Sequence, residues 1–251
     1  MKLVTAVIVA VAPVAAFYAV AARSAPEQCE LPSSLIETDV DLAHVTSQFT
    51  DKHRLDITVV GSGSSALAGP DGARAAYPAR LEDALRQRLA NTDVKVTAHT
   101  QLKETTAAME AELDKILADD KPALVIWQAG TVDAVDGVEP EDFRGSLDSG
   151  VEKIQNAGAD VILMNMQYSP RTESMLDVST YADVMRVIAE QRGAVLFDRL
   201  AIMRYWNDAG TFDLYTATKN YDMARRVHDC IGWALASQII NAAHLDVIKV
   251  Q

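Results

Sequence analysis

The sequence predicts an α/β domain in which helices cover both faces of a five-stranded parallel sheet. One observation is a series of short apolar runs without polar alternation, which is typical of strands that are buried on both faces. The other is that apolar residues recur at helical spacing between these runs. Both patterns alternate from residue 55 onward. The predicted architecture is therefore a three-layer αβα sandwich.

The predicted strands are brief, uninterrupted apolar segments. They are residues 57–60, 94–96, 124–127, 161–164 and 195–197. Because no linker or low-complexity tract interrupts the alternation, we expect one domain over residues 55–251.

The intervening helices are predicted from stripes of apolar residues that would face the sheet. The stripes are Leu81, Leu85 and Leu89; Met109, Leu113, Ile116 and Leu117; Phe143, Leu147, Val151 and Ile154; and Val184, Val187 and Ile188. Pro140 and Gly158 mark the start and the end of the third of these helices. A last helix is predicted to begin near Asp222.

The N-terminal segment is expected to be a transmembrane anchor or a signal peptide. A mostly apolar run fills residues 3–22 between Lys2 and Arg23, and a helix of that length would cross the hydrocarbon layer. Small residues near Ala21 and Ala25 favour cleavage, whereas the length of the run favours a retained anchor. Positive charge at Lys2 predicts that the domain faces outward in either case. Residues 26–54 would then form a leading arm that packs on the domain.

The two cysteines, Cys29 and Cys230, lie near opposite ends of the chain. In an oxidising compartment a bridge would join the leading arm to the last helix. Two unrelated buried thiols are the alternative, and spacing alone leaves both open.

Charge and residue spacing exclude several kinds of partner. The net charge of −12 argues against a nucleic acid partner, which would reward clustered Lys and Arg. No two of the five histidines lie three or four residues apart, so the sequence predicts no metal site and no cofactor.

Polar and glycine residues follow the predicted strands, at the sheet edge where α/β proteins bind ligands. The segments are 61–65 after the first strand, 98–103 after the second, 128–133 after the third and 165–168 after the fourth. The segment from Ile57 to Gly69, the segment 127–131 with the sequence Trp-Gln-Ala-Gly-Thr, and Met223 followed by Cys230 together resemble the SGNH, or GDSL-type, hydrolases. The resemblance implies a flavodoxin-like sandwich and a serine esterase cleft at this edge.

Matched position by position, this chain departs from the family pattern in the first three blocks. Gly63 falls where the resemblance implies the nucleophilic serine. Leu102 and Lys103 fall where paired glycines would offer an amide to the oxyanion, and Val132 falls where an asparagine would donate to it. A glycine has no oxygen with which to attack an ester.

The last block departs as well. The separation of Met223 and Cys230 matches the family, and it puts Lys219 at the position of the acid and Asp222 at that of the histidine. This register predicts that no catalytic residue is intact. The residues expected to line the remaining cleft are Ser62, Ser64, Gln128, Gly130, Thr131 and Asp133.

A second register, slipped by two residues, restores an enzyme. It makes Ser65 the nucleophile and His228 the base, with Asp222 as one choice for the orienting acid. The slip does not change Val132, and it pushes Gly61 into the strand, where glycine is unfavourable.

Three function classes remain open from the sequence. The first is an exported or anchored domain on the periplasmic side of the inner membrane that binds an envelope protein or an acylated glycan without hydrolysis. The second is an acyl esterase that uses Ser65 or Ser64. The third is a structural subunit of a membrane complex, which would contact its partner through the N-terminal helix.

Overall fold

Five parallel strands form one sheet in the order β2-β1-β3-β4-β5. The computed structural model describes residues 27–69, 71–216 and 221–245. The strands are β1 Arg54–Gly61, β2 Asp93–Thr100, β3 Leu124–Gln128, β4 Asp160–Met164 and β5 Val195–Phe197. The predicted parallel sheet is confirmed, and its strand order is that of flavodoxin-like folds.

Strand β2 is longer than predicted because it lies at the edge of the sheet. Its second half contains Thr97, His99 and Thr100, which are half-buried rather than enclosed on both faces. A continuous apolar run identifies only strands that are covered on both sides. The prediction therefore captured the short segment around Val94, the one buried residue of this strand, and missed the polar remainder.

Ten α-helices lie in the described part of the chain. They are α1 Ala43–Lys52, α2 Gly72–Ala75, α3 Tyr77–Arg88, α4 Thr106–Asp120, α5 Thr131–Asp136, α6 Pro140–Asn156, α7 Pro170–Glu173, α8 Ser179–Arg192, α9 Arg199–Asp208 and α10 Asp222–Ala242. Helix α6 begins at Pro140 and helix α10 begins at Asp222, as the sequence predicts.

The helices form two layers, one on each face of the sheet. Helices α4, α6 and α8 pack side by side, and α3 packs against α10. Parallel strands are joined by right-handed crossovers. The connection from β1 to β2 runs in the opposite direction along the sheet from the later connections, so α3 lies on one face and α4, α6 and α8 lie on the other. This arrangement is the expected three-layer sandwich.

On helix α8 the predicted stripe is confirmed at Ile188 and at Val184, which packs against the core, but not at Val187. Tyr181, Met185 and Ile188 are buried, whereas Val187 is exposed. The prediction weighted branched aliphatic residues, but Tyr and Met bury comparable apolar area and here they define the inward stripe.

The segment before β1 is integrated into the domain. Leu42 and Val45 are fully buried, and the amide of Val45 donates to the Asp160 carboxylate over 2.9 Å. Burial in turn raises the pKa of Asp160. The predicted anchor or signal peptide over residues 1–25 lies outside the described residues. Within the described ranges, none of the helices combines the length and the apolar character needed to cross a bilayer.

Cys29 and Cys230 form a disulfide, so the bridged alternative is the correct one. Both residues are buried, and their sequence separation is 201 residues. The bridge ties the start of the described chain to α10, and it lies two positions beyond His228 on that helix. We expect a long closed loop of this kind to restrict the unfolded chain strongly.

The disulfide predicts a large redox dependence of stability. The Cys29→Ser, Cys230→Ser and double variants should each lose about 2–5 kcal/mol in the free energy of unfolding, because each removes the same constraint on the unfolded chain. Urea titration under oxidising conditions measures this loss, and adding a reductant to the native protein should reproduce it. A native protein that is unaffected by reductant would contradict the prediction.

Gly130 predicts a second, local stability effect. It follows β3 with a φ of 89°, and a Cβ built there would lie 2.7 Å from Met166 Sδ. Gly158 has a similar φ of 80°, but a Cβ at that residue would meet nothing within 4 Å. We expect Gly158→Ala to cost about 1–2 kcal/mol, through the left-handed backbone alone. Gly130→Ala should cost about 1–3 kcal/mol more, because it also overpacks the core. Equal losses in chemical denaturation would contradict this interpretation.

Candidate functional site

A cleft of about 570 Å³ opens at the carboxyl ends of β1 and β3. It lies where the strand order reverses, which is where ligands bind in open α/β sheets. Its walls come from the loop after β1, the loop after β2, helix α5 and the first part of α10. The lining residues are Ser62, Gly63, Ser64, Ala66, Leu67, Leu102, Lys103, Thr131, Val132, Val135, Asp136, Gln167, Ala224 and His228.

The loop after β1 is held by a single carboxamide oxygen. Gln128 Oε1 accepts from the amide of Ser62 over 3.1 Å, from Ser64 Oγ over 2.9 Å and from Ser65 Oγ over 3.0 Å. Ser62 Oγ also lies 3.2 Å from it. Since this oxygen has two lone pairs, the donors share it, and the loop is pinned to the end of β3.

Gly63 forms part of the cleft wall and has no reactive atom. It begins a short 3₁₀ turn that extends to Ser65. A Cβ built on Gly63 would lie 2.7 Å from Leu102 Cδ2, the tip of an exposed side chain. The Leu102 side chain therefore covers the position from which a serine at residue 63 would project. Because that tip is flexible, the backbone itself does not forbid a serine there.

Ser65 lies behind the cleft wall rather than in it. It is 1% exposed, and its Oγ donates to Gln128 Oε1. Tyr77 OH, 2.9 Å away, then acts as donor to the same Oγ. The pKa of Tyr77 is raised, first of all by its complete burial. The Ser65 hydroxyl is thus committed to two buried partners.

His228 lines the cleft, but in an orientation unsuited to a base. The amide of Tyr77 donates to His228 Nδ1 over 2.9 Å, so Nδ1 carries no proton. Burial, and next the charge of Arg199, lower the pKa of His228 to about 3. The ring is therefore neutral at physiological pH and carries its proton on Nε2. In this tautomer Nε2 is a donor and cannot accept a proton from a nucleophile.

Arg199 is a buried cation that the sequence analysis did not identify. It is 1% exposed at the start of α9, and its two terminal nitrogens donate to Ser64 O over 3.2 Å and to Ser64 Oγ over 3.3 Å. Burial lowers its pKa to about 10, so it remains charged at neutral pH. A single Arg after Asp198 is typical of a solvated surface, and no local signal in the sequence distinguishes it.

The segment after β3 keeps the family-like residues around Val132, but Val132 itself stands where the resemblance implies an asparagine donor. Val132 lines the cleft with a side chain that cannot hydrogen-bond. Asp133 is buried, and its carboxylate accepts from the amide and the hydroxyl of Thr106 over 3.0 and 2.8 Å. Asp133 thus joins the start of α5 to the start of α4.

The predicted cleft lining is partly corrected. Ser62, Ser64 and Thr131 line the cleft. Gln128, Gly130 and Asp133 do not, because the Gln128 side chain supports the serine loop, Gly130 lies against Met166, and Asp133 caps α4. These three residues lie behind the cleft wall and position the residues that line it.

The loop after β2 keeps the backbone amides that the resemblance implies as oxyanion donors, although its residues differ from the family's glycines. Lys103 has a φ of 63°, a left-handed conformation that favours glycine, so the backbone turn exists without its glycines. A backbone N–H does not depend on the side chain. The substitutions at Leu102 and Lys103 therefore do not by themselves remove an amide, and Val132 is the side-chain donor that is absent.

The remaining predicted positions are less informative. Asp222 is exposed at the first turn of α10. Lys219 lies outside the described residues. Groups of His, Cys, Asp and Glu that could hold a metal ion do not occur within the described ranges.

Comparison with known proteins places the whole described chain in one family. The model of the Non-GDSL lipase-like family matches residues 28–245. Esterase TesA of Pseudomonas aeruginosa is 33% identical over 116 residues, which are 45% of this chain and 55% of that protein. Arylesterase of Vibrio mimicus is 29% identical over 94 residues, covering 38% of this chain and 46% of that protein. The chain thus spans about half the length of the curated relatives it matches.

Solved structures share the fold. A lipase/acylhydrolase from Enterococcus faecalis superposes with a TM-score of 0.61 at 15% identity, covering 78% of this chain and all of that one. The crystal structure of TesA gives a TM-score of 0.58 at 24% identity, covering 72% of this chain and 98% of that one. At these identities the likeness shows the α/β fold.

The His228 environment predicts a pH dependence of stability. The unfolded ring binds a proton below about pH 6.5, whereas the folded ring stays neutral down to about pH 3. Between these values the unfolded state binds more protons, so the free energy of unfolding falls as the pH is lowered, by up to about 1.4 kcal/mol per pH unit.

Urea unfolding between pH 4 and pH 8 measures this slope. The His228→Asn variant is the control, because its side-chain oxygen can accept from the Tyr77 amide but does not titrate. The slope of the native protein should exceed that of the variant below pH 6.5. An imidazolium signal from His228 at pH 5 in a ¹H–¹⁵N spectrum would contradict the assignment.

Proposed function

Since the chain belongs to the Non-GDSL lipase-like family, a family of SGNH/GDSL-type hydrolases, we propose that it is a non-hydrolysing member whose cleft binds a ligand without cleaving it. The observation that carries the proposal is Gly63. The wall position that the family resemblance assigns to the nucleophile has no side chain, and the Leu102 side chain covers it. Without an oxygen at this position, the family mechanism has no first step.

Neighbouring groups do not supply the missing parts. The Ser65 hydroxyl is buried and donates to Gln128. The one ring nitrogen of His228 that remains for the cleft carries a proton, because Nδ1 accepts from Tyr77. A nucleophile needs a base within hydrogen-bond reach whose lone pair is available. Ser65 and His228 do not meet this requirement.

The oxyanion side of the cleft supports the same proposal. Val132 presents no donor. Loss of one oxyanion donor typically lowers the rate by about a hundred- to a thousand-fold. This loss would add to that of the nucleophile and the base, so we expect residual ester hydrolysis at the level of unspecific catalysis.

The alternative function is an active serine esterase on small acyl esters or acylated glycans. Two observations favour it: Esterase TesA, to which the chain is similar, is an esterase by name, and Ser64 and His228 line the same cleft. In this alternative Ser65 or Ser64 attacks and His228 assists after a rearrangement that frees its Nδ1. The Ser64 hydroxyl, however, donates a hydrogen bond to Gln128 Oε1 and accepts one from the Arg199 guanidinium.

We place the domain on the periplasmic side of the inner membrane, anchored by residues 3–22 or released after cleavage. The Cys29–Cys230 bridge supports this placement, because disulfides persist in oxidising compartments. The ligand would then be an envelope component. A role as a structural subunit rests on residues 3–22 packing against a membrane protein through small residues such as Ala6, Ala10 and Ala16.

Covalent labelling tests the loss of activity. The full-length protein should not react with a fluorophosphonate probe, and it should not hydrolyse 4-nitrophenyl acetate or butyrate faster than its His228→Asn variant. Esterase TesA of Pseudomonas aeruginosa, assayed in parallel, shows that the probe and substrates are competent. A labelled serine, or hydrolysis that Ser65→Ala or Ser64→Ala abolishes, would overturn the proposal.

Gly63→Ser gives a sharper version of this test. The variant should fold, because only the flexible tip of Leu102 must move. It should nevertheless remain unlabelled, because the ring of His228 offers no free lone pair toward the cleft. Strong labelling of Gly63→Ser would show that a competent base is present after all.

A further inference from the structure

The described chain enters the domain near the end of α10 that lies beside the cleft. Gln28 Oε1 accepts from Arg226 Nε over 3.2 Å and from Arg226 Nη2 over 2.9 Å, and Cys29 is bridged to Cys230. Arg226 follows the start of α10 at Asp222 by about 6 Å along the helix axis. His228, which lies between the two attachment points, lines the cleft. The entry point of the chain is therefore fixed close to the cleft.

From this entry point the leading arm runs along α10 to the other side of the domain. The amide of Leu42 donates to the carbonyl of Ala242 at the end of α10 over 3.0 Å, and the hydroxyl of Thr46 donates to the carbonyl of Ala243 over 2.9 Å. We call the edge of the sheet where the strands end the carboxyl edge, and the edge where they begin the amino edge. Helix α10 begins at the carboxyl edge and ends at the amino edge. The residues before Gln28 therefore connect to the half of the domain that carries the cleft.

The connection from the N-terminal apolar run to this entry point is short. The run fills residues 3–22, and residues 23–26 separate it from Glu27, the first described residue. Four residues span at most about 14 Å when fully extended. With residues 3–22 retained as an anchor, the carboxyl edge is thus the side of the domain that is tied close to the bilayer.

The most exposed aliphatic side chains lie on the same edge. Leu102 is 80% exposed in the loop after β2, and Met175 is 74% exposed in the connection that leads from β4 to α8. Val135 is exposed on α5, directly after β3, and Tyr221 is exposed immediately before α10. Leu102 and Val135 also line the mouth of the cleft.

The amino edge has no such side chains. In the described residues, none of the turns that lead into the five strands exposes a large apolar side chain. Single exposed apolar residues are common, but their concentration on one edge, around a cleft, indicates a contact surface. The net charge of −12 opposes attraction to an anionic surface, so the contact must be apolar.

We propose that the carboxyl edge faces the bilayer, with Leu102, Val135, Met175 and Tyr221 in contact with a zwitterionic lipid surface. The mouth of the cleft then opens toward the membrane. Apolar side chains that enter the headgroup region are buried from water, and tyrosine is favoured at that depth. This inference rests on the retained-anchor form of the proposed function, and it adds to that function the direction from which the cleft is reached.

Photo-crosslinking of the full-length protein in phosphatidylcholine nanodiscs tests the orientation. A benzophenone amino acid is placed at Leu102, Met175 or Tyr221, and lipid adducts are quantified by mass spectrometry. The control positions are Asp51 and Asn156, which are exposed at the ends of α1 and α6 on the amino edge. We expect at least tenfold more lipid adduct at the three test positions. Equal yields at both edges would overturn the proposal.

A charge placed on the edge provides a second test. With the benzophenone at Val135, Met175→Glu should lower the yield of lipid adduct at least threefold, because a carboxylate resists transfer out of water. Val187→Glu is the matched control, since it adds the same charge at an exposed position within α8 and should leave the yield unchanged. Both side chains are exposed, so neither variant disturbs the core. Equal effects of the two variants would show that the edge does not contact the lipid.

This proposal and the proposed function fail in different ways. Recovery of the protein in a soluble form without residues 3–22, or equal adducts at both edges, refutes the orientation and leaves the non-hydrolysing function standing. Hydrolysis of 4-nitrophenyl esters that Ser64→Ala or Ser65→Ala abolishes refutes the non-hydrolysing function, whatever the adduct yields are.

Discussion

The Gln128 carboxamide oxygen is the contact on which the candidate site depends. It joins the end of β3 to the loop after β1 by accepting from the Ser62 amide and from the hydroxyls of Ser64 and Ser65. Each hydroxyl held in this way donates its proton to the end of β3. The loop is serine-rich, yet the residue it leaves bare in the cleft wall is Gly63. The hydrogen bonds to Gln128 behind the cleft wall therefore determine which side chains of this loop the cleft presents.

A second layer of polar groups continues from this contact. Tyr77 donates its hydroxyl to Ser65 and its amide to His228 Nδ1. The buried Arg199 guanidinium donates to the carbonyl and the hydroxyl of Ser64. These contacts fix the tautomer of His228 and place a positive charge under the cleft. Because the groups share partners, substitutions at Ser64, Tyr77 and Arg199 should have non-additive effects on the cleft.

The sequence carried enough information to predict the sheet but not the orientation of the site. Apolar runs determine β1, β3, β4 and β5, since burial on both faces requires them. The polar half of β2 has no such requirement, and periodicity missed it. Ser65 illustrates the corresponding limit at the site: whether a hydroxyl after a strand points into a cleft or into the core depends on one 3₁₀ turn. The burial of Arg199 depends on contacts between segments 135 residues apart, and no local pattern encodes such a contact.

The distribution of family-like and divergent residues has a physical explanation. Gly130 and Asp133 are required by the fold, because one lies against Met166 with a left-handed backbone and the other binds the amide and hydroxyl that begin α4. Gly63 and Val132 face the cleft, where a changed side chain meets a flexible neighbour or solvent rather than a packed core. A change at the cleft wall therefore costs the fold little, whereas a change behind it costs stability. A domain of this design can change the residues at its cleft wall while its sheet and its supporting network stay in place.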